Sequence, residues 1–390
     1  MTDTGKKPSR VGAVFWKARA RILGPGIARN VERTSHPRWC LLSARVAPFR
    51  MPHLAATHQN EWQFRELARA LSEFGYNVDA VEFDERRPLL RRDYDLVIDI
   101  HPRAHPIYEG SLARGARKMA FITGSNPTFS NAAEHARLAD LERRRGARLK
   151  PRRTVPPFPK PVLESFDSMM TFAGQVALST YAEFRLPPVY PLVNSGYEDV
   201  RPTEPERRDP TRFLFMASVG QVHRGLDLLL EVFAEERDLS LVVCSMYEAE
   251  RDFTRLYQKE LYRSPNIDPA GFMDLKSAAF RELQASCGAM ILPSCSEGQS
   301  GSVTAALSFG IPCIVSRICG VDEPEIEILP DCSLAAIRER ARAWASQPRA
   351  ALYERSAKSL ALMRRKYGPA DYARSVREAL RATLGVAASG

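Results

Sequence analysis

Short apolar runs alternate with amphipathic helical stretches along most of this chain, and no other feature constrains its fold as strongly. Runs at residues 39–46, 77–83, 94–100, 118–123 and 168–172 have the length and apolar character of buried strands. Helical stretches separate them, as between the first two runs, where apolar residues recur from Trp62 to Leu71. Strands that alternate with helices form a parallel sheet with right-handed crossovers, so the pattern predicts an α/β fold.

The alternation stops once and then restarts. Residues 197–212 are polar and charged and contain Pro202, Pro205 and Pro210, as expected of a linker, and strands and helices alternate again from residue 213. A chain of 390 residues is long enough for two hydrophobic cores. We therefore predict two Rossmann-like, doubly wound domains that face a cleft, with the C-terminal helix packing back on the N-terminal domain. The predicted segments are a basic arm at 1–38, an N-terminal domain at 39–200, a linker at 201–212, a C-terminal domain at 213–367, and a helix and tail at 368–390.

The composition is that of a soluble globular protein, with 44% apolar and 26% charged residues. The sequence holds no apolar stretch long enough to span a bilayer and no secretory signal, so we predict a cytoplasmic protein. The seven cysteines include no CxxC pair, and scattered cysteines in such a chain are usually buried apolar residues. We expect neither a metal site nor disulfides.

Most of the net charge of +10 lies in the first 38 residues, where nine basic side chains stand against two acidic ones. Between residues 11 and 23, Phe15, Trp16 and aliphatic residues interleave with Lys17, Arg19 and Arg21, a composition suited to an anionic membrane surface. Peripheral attachment to the inner face of a membrane is one interpretation of this arm, and a solvated tail is the other. No sequence motif supports nucleic-acid binding, so we exclude nucleic acid as a partner.

Two segments have the form of anion-binding loops between a strand and a helix. In the first, residues 218–230, Gly220 frees the backbone and Arg224 stands at the start of an amphipathic helix. Ligands of open parallel sheets bind beyond the carboxyl ends of the strands, and arginine can make a bidentate contact with phosphate. We predict that Gly220 and Arg224 bind a phosphate group, although an ordinary tight turn with an exposed arginine would explain the same residues.

The second segment, residues 293–312, joins a buried strand to a helix through a loop rich in serine and glycine. The N–H groups at the start of that helix would point at a diphosphate, and we assign this role to Ser300, Gly301, Ser302 and Val303. Glu297 would repel a phosphate and is better suited to accept hydrogen bonds from sugar hydroxyls. A surface glutamate in a turn is the alternative interpretation.

These motifs resemble those of the retaining GT-B glycosyltransferases of family 4. The residues Pro293–Ser294, Glu297–Gly298 and Ala306 to Pro312 look like that family's donor-site motif, and residues 225–233 look like its phosphate-loop helix. The resemblance implies a retaining, metal-independent hexosyltransferase that uses a nucleoside-diphosphate sugar and a saccharide or lipid-linked acceptor, without a cofactor, in bacterial-type glycan or glycolipid synthesis. It implies that Glu297, Gly298 and Gln299 bind the donor sugar. It also implies that Glu297 and His101, which follows the strand at 94–100, act in catalysis, with His105 and His58 as weaker alternatives to His101.

Two positions depart from the family pattern. Ala305 replaces the second glutamate of the donor motif, which in relatives is associated with the ribose of the nucleotide. The loop at 218–223 also has no counterpart of the arginine that the family places there, so one of two cationic phosphate contacts is missing.

Three other functions share parts of the pattern. A catalytically silent nucleotide-sugar binder would explain Ala305, and a GT-B sugar-nucleotide epimerase would act on the donor alone. A nicotinamide-dependent oxidoreductase would share the parallel sheets, but the sequence lacks the G-x-G-x-x-G motif that such enzymes carry after the first strand.

Overall fold

The computed structural model describes residues 26–51, 59–85, 88–100, 102 and 108–386. Each half of the chain forms a sheet whose strands are joined by helices, and the two sheets face one cleft. Two Rossmann-like units of this kind are what the sequence predicted, so the α/β class and the two-domain architecture are confirmed.

The N-terminal sheet has the order β1-β3-β2-β4-β5-β6-β7. All its neighbouring strands are parallel except β1 and β3, which pair antiparallel through Ile27 and Val81. The central strands are buried along almost their whole length. The strands are β1 Ile27–Ala28, β2 Arg38–Ala44, β3 Tyr76–Glu82, β4 Tyr94–Asp99, β5 Leu112–Ile122, β6 Ser168–Thr171 and β7 Val189–Pro191.

The helices of this half are α1 Asn60–Glu73, α2 Pro127–Arg145, α3 Lys160–Glu164 and α4 Gln175–Ser179. Local chemistry sets the ends of α2. The Asn126 side chain accepts from the Thr128 N–H at 2.8 Å, and Gly146 ends the helix with φ +64°. Leu138 and Leu141 of α2 belong to the hydrophobic core of the C-terminal half, so this helix packs across the cleft.

The C-terminal sheet has the order β10-β9-β8-β11-β12-β13 and is parallel throughout. Strand β8 lies at its centre, so the loops that follow β8 and β11 emerge side by side at the same edge. The strands are β8 Asp209–Met216, β9 Ser240–Cys244, β10 Ile267–Asp268, β11 Cys287–Leu292, β12 Cys313–Ser316 and β13 Glu327–Leu329.

The helices of the C-terminal half are α5 Gln221–Arg224, α6 Leu226–Glu235, α7 Arg251–Leu256, α8 Gln258–Arg263, α9 Ala278–Ala285, α10 Gly301–Ser308, α11 Leu334–Ala345, α12 Arg349–Lys366 and α13 Pro369–Leu384. Short 3-10 turns lie at Ala47–Arg50, Glu109–Ser111, Pro205–Arg207, Tyr247–Ala249 and Arg317–Cys319.

The last helix returns to the N-terminal domain, as predicted. Tyr372, Val376 and Leu380 of α13 are part of the core that contains β2, β4 and α1. The Tyr372 hydroxyl donates to the Gln63 carbonyl at 2.9 Å, and Arg377 pairs with carboxylates of α1. The prediction that the C-terminal helix packs on the N-terminal domain is confirmed.

The boundaries drawn at 38, 200, 212 and 367 stay predictions, but several elements lie close to them. Residues 27–28, inside the predicted arm, are strand β1, whereas residues 1–25 lie outside the described part of the chain. Arg208, inside the predicted linker, is 1% exposed and donates to the carbonyls of Cys287 and Phe309. Within the described residues, no helix is both long enough and apolar enough to cross a membrane.

Candidate functional site

A cavity of about 190 Å³, partly open to solvent, lies between the domains at the carboxyl ends of their strands. Ligands of open α/β sheets bind at this edge. The C-terminal domain supplies an apolar wall, formed by Met216, Phe272, Met273, Leu275 and Phe280. Polar residues of both domains line the rest, among them Gln59, Thr123, Arg153, Asn194, Arg224, Glu297, Gln299, Ser300, Gly301 and Ser302.

Arg224 and Glu297 meet at this cavity. Arg224 ends the short helix α5 and is 11% exposed in its side chain, and Glu297 lies in the loop after β11. The guanidinium and the carboxylate are in direct contact, and within the described residues the Arg224 Nε has no hydrogen-bond partner. Burial lowers the pKa of Arg224, and repulsion from Arg153 acts in the same direction. Two distant motifs of the sequence therefore form one ion pair.

The loop that carries Glu297 is held by both domains. Ser294 Oγ donates to Glu297 Oε1 at 3.0 Å, within the loop. Across the cleft, the N–H and Oγ of Ser125 donate to the Glu297 carbonyl at 2.9 and 2.6 Å. His223 holds the same loop, because its Nε2 donates to the Ser296 carbonyl at 2.8 Å. The Glu297 carboxylate is therefore fixed in the wall of the cavity.

His223 is a neutral residue in this arrangement. It is 1% exposed, and in the part of the chain that the structure describes its Nδ1 has no hydrogen-bond partner. Burial lowers the pKa of His223 to about 3, and the nearby charges of Arg224 and Arg153 act in the same direction. A neutral imidazole beside two guanidinium groups adds no further positive charge to the site.

The Gly220 loop differs from its predicted role. Gly220 has φ +87°, as a glycine turn requires, but its N–H donates to the carboxylate of Glu250 at 2.5 Å. The Gln221 N–H donates to the same carboxylate at 3.2 Å, and Glu250 is 4% exposed. Burial raises the pKa of Glu250, which these backbone hydrogen bonds oppose. The structure thus gives the Gly220 N–H an acceptor of its own, and of the two residues predicted in this loop only Arg224 lines the cavity.

Three of the four residues predicted at the start of helix α10 border the cavity. Ser300, Gly301 and Ser302 line it, and the N–H groups of Gly301 and Ser302 have no acceptor within the described residues. The Ser300 Oγ is buried and also has no partner among these residues. Val303 is 0% exposed, and its N–H donates to the Ser300 carbonyl at 3.1 Å. The usable donors are those of the first two residues of the helix.

Gly298 and Gln299 lie where the domains touch. A Cβ atom added to Gly298 would lie 2.5 Å from the Thr123 carbonyl oxygen, so only glycine allows this close approach. Gln299 lines the cavity, but its side-chain oxygen accepts from the Asn194 N–H and its carbonyl accepts from Asn194 Nδ2 at 2.6 Å. Both residues border the predicted sugar site while they also join the two halves.

The basic segment at 143–153 lies at the interface between the domains. Arg144 contacts Asp227 at 2.7 Å and Glu231 at 3.0 Å, and Arg145 contacts Glu260 at 2.8 Å. These carboxylates belong to the C-terminal domain, so part of the basic charge of the segment is paired across the interface. Arg153 differs because it lines the cavity. No spacing in the sequence pointed to Arg153, because the residues beside it at the cavity lie far away along the chain.

The predicted histidines lie outside this description. His101, His58 and His105 are not among the described residues, so the role given to His101 stays a prediction. The described residues include no cluster of three histidine, cysteine or acidic side chains arranged to hold a metal ion. The seven cysteines are unpaired.

Solved structures similar to this chain share its two-domain architecture. Sucrose-phosphate synthase from Thermosynechococcus elongatus is 13% identical with a TM-score of 0.62, over 90% of this chain and 100% of that one. Anabaena HepE, solved with UDP and glucose, is 11% identical with a TM-score of 0.60, over the same shares. S. aureus TarM, solved with fondaparinux, alpha-GlcNAc-glycerol and UDP, is 12% identical with a TM-score of 0.53 over 74% of this chain. This chain covers 55% of the length of TarM.

At these identities the likeness establishes the fold, which is GT-B. The sequence of the C-terminal domain adds a second finding, since residues 210–347 match the family model described as Glycosyl transferases group 1. The chain therefore has the GT-B fold, and its C-terminal domain matches a family of glycosyl transferases. No curated protein sequence matches the chain.

Proposed function

We propose that this protein transfers a sugar from a nucleoside-diphosphate sugar to an acceptor hydroxyl, with retention of anomeric configuration and without a metal or another cofactor. The proposal depends on one observation above all. Arg224 and Glu297 touch each other in the wall of the interdomain cavity, next to the free N–H groups at the start of α10. A cation with backbone donors suits a diphosphate, and a carboxylate beside them suits sugar hydroxyls.

The chemical step breaks the bond between the anomeric carbon and the diphosphate oxygen. Negative charge then grows on the departing diphosphate, while the sugar ring becomes positively charged. Arg224 and the N–H groups of Gly301 and Ser302 stabilise the first charge, since fixed donors act most strongly where charge develops. These groups belong to the chain itself, so we expect transfer to continue when divalent metals are chelated. The acceptor oxygen bonds to the same face of the anomeric carbon that the diphosphate leaves, and the hydroxyl proton passes to the departing diphosphate.

The other end of the cavity suits the donor's remaining parts. Glu297, with Gln299 beside it, orients the sugar by accepting from its hydroxyls. The apolar wall that includes Phe272 and Met273 suits a nucleobase. HepE and TarM were solved with UDP, so uridine diphosphate sugars are the first donors to test. Ala305 lines the same cavity without a carboxylate, which leaves ribose recognition to other groups.

The acceptor would contact the N-terminal domain. We propose a saccharide or a lipid-linked saccharide, in bacterial-type glycan or glycolipid synthesis, with His101 near the reacting hydroxyl. The first 25 residues of the basic arm at 1–38 would attract a cytoplasmic protein to an anionic membrane face, which suits a lipid-linked acceptor. Sedimentation with vesicles that contain anionic lipid, compared between the full chain and a chain that starts at residue 26, tests the membrane contact.

Ligand-induced stabilisation is the first test of the donor class. A ligand that binds the folded state raises the melting temperature, so we expect uridine, guanosine or adenosine diphosphate, or one of their sugars, to do so at millimolar concentration. If none of them raises it, the proposed function is wrong.

Turnover of the donor is the second test. Arg224→Lys and Glu297→Gln keep much of the volume of the side chains, and we expect each to reduce transfer about 100-fold or more. The controls are Arg263→Lys and Glu339→Gln, which alter exposed side chains of the same domain. Unchanged turnover in both site variants would refute the assignment. If the donor binds but is neither transferred nor hydrolysed, the protein is a silent binder, and a new sugar nucleotide formed without acceptor would identify an epimerase.

A further inference from the structure

The side chain of Arg153 crosses from the N-terminal domain to the Gly220 loop. Arg153 follows α2, and its own N–H and that of Arg152 donate to the buried carboxylate of Glu134 at 2.8 to 3.2 Å, which fixes the backbone. A Cβ atom added to Gly220 would lie 2.6 Å from Arg153 Cγ and 3.0 Å from Cδ. The aliphatic part of Arg153 therefore packs directly on the glycine of the opposite domain.

The guanidinium of Arg153 lacks the partner that its neighbours have. Arg144, Arg145 and Arg152 each pair with carboxylates of the C-terminal domain. Within the described residues, no carboxylate lies within ion-pair distance of the Arg153 guanidinium, although this side chain lines the cavity beside Arg224. Burial lowers the pKa of Arg153, and the carboxylates of Glu134 and Glu250 oppose this only in part.

The local balance of charge favours an anion. Arg153 and Arg224 bring two positive charges to one wall of the cavity, and each is close enough to act on the neighbouring His223. Glu297 is the carboxylate in contact with Arg224, so it offsets one of the two charges. The loop at residues 218–223 contains no arginine or lysine that could add to them. A diphosphate, with at least two negative charges, would offset the remaining positive charge and bind both guanidinium groups.

We propose that Arg153 is the second cationic contact to the donor diphosphate, supplied by the N-terminal domain across the cleft. This inference rests on the proposed function. Because Arg224 belongs to one domain and Arg153 to the other, the diphosphate site is complete only when the domains are together. Binding of the diphosphate then stabilises the closed arrangement.

The test compares Arg153→Met with Arg148→Met. Methionine keeps an unbranched chain that can pack on Gly220 but removes the charge, and Arg148 is an exposed arginine of the same segment. Affinity is measured by titration calorimetry for uridine diphosphate and for uridine, or for the matching pair of whichever base stabilises the wild type. A charge-assisted hydrogen bond is worth roughly a 10-fold to 100-fold change in affinity. We expect Arg153→Met to weaken diphosphate binding by that factor and to leave nucleoside binding unchanged. Arg148→Met should bind both ligands as the wild type does.

Charge is separated from packing by Arg153→Lys, which keeps the charge without the guanidinium and should lose less diphosphate affinity than Arg153→Met. If Arg153→Met gives no folded protein, Arg153→Gln replaces it with the same expected loss. Diphosphate binding equal to that of the wild type, or an equal loss of diphosphate and nucleoside binding, overturns the inference. When Arg224→Lys weakens diphosphate binding and Arg153→Met does not, the inference alone fails. When the wild type binds no nucleoside diphosphate, both the inference and the proposed function fail.

Discussion

Acid should loosen the loop that carries Glu297, because His223 must stay neutral to hold that loop. The imidazole is buried, donates to the Ser296 carbonyl at 2.8 Å, and has a pKa of about 3 in the folded protein against 6.5 for an ordinary histidine. When the pKa of a group is lower in the folded chain than in the unfolded one, its contribution to stability is fully present at pH values above the pKa in the unfolded chain. That stability is lost as the pH falls from 6.5 towards 3.

The loss in the free energy of unfolding follows from the two pKa values of His223, folded and unfolded. Each pH unit below 6.5 favours the unfolded chain by about 1.4 kcal/mol, because the unfolded histidine takes up a proton that the folded one refuses. At pH 5 the interval is 1.5 units below 6.5, so the loss from His223 is about 2 kcal/mol. At pH 7.5 it is close to zero, since the imidazole is then neutral in both states.

The measurement is urea unfolding followed by circular dichroism at pH 7.5 and pH 5.0. His223→Gln keeps an N–H donor for the Ser296 carbonyl but does not titrate, so we expect it to lose about 2 kcal/mol less than the wild type between the two pH values. His135→Gln, which alters an exposed histidine, should lose as much as the wild type. An equal loss in wild type and His223→Gln would show that this imidazole is not the acid-sensitive group.

Two further predictions concern packing. Gly298→Ala places a methyl group 2.5 Å from the Thr123 carbonyl oxygen. Overpacking of this kind costs roughly 1 to 3 kcal/mol, so the melting temperature should fall. Gly110→Ala, whose methyl group meets no atom within 4 Å, should leave the melting temperature unchanged. Arg208→Met removes a buried guanidinium that donates to two carbonyls at 2.9 and 2.6 Å, and we expect calorimetry to show a loss of about 3 kcal/mol or more. Arg207→Met, at an exposed ion pair, should melt as the wild type does, and equal melting of the two arginine variants would refute the second prediction.

The sequence predicted the features that depend on local pattern. The strand at residues 39–46 is observed at Arg38–Ala44, and the helix after Glu297 begins at Gly301, because burial alternation and glycine-rich turns act over a few residues. Partners that are distant along the chain left no such pattern. The carboxylate that takes the Gly220 N–H lies 30 residues away, and Arg144 finds Asp227 83 residues away. A basic run looks the same in sequence whether it faces water or carboxylates of another domain.

The same distinction between local pattern and distant contacts applies to the candidate donor site. Arg224 and Glu297 lie in loops that follow neighbouring strands, so topology brought them to one edge and both line the cavity. Val303 was predicted from its position near a helix start, but the tight first turn of α10 uses its N–H for the Ser300 carbonyl. Arg153 could not be predicted, since it reaches the site only through the closed arrangement of the two domains.

Each half of the chain places one helix in the core of the other half, and this affects how the chain folds during translation. Helix α2 places Leu138 and Leu141 in the core of the C-terminal half, and α13 places Tyr372 and Val376 in the core of the N-terminal half. Domains usually fold in the order in which the ribosome releases them. Here the half that is synthesised first stays open along one face until the last helix has been made. During translation its exposed apolar surface would be a site for chaperones, and a stop codon near the end of the gene would damage the domain encoded at its beginning.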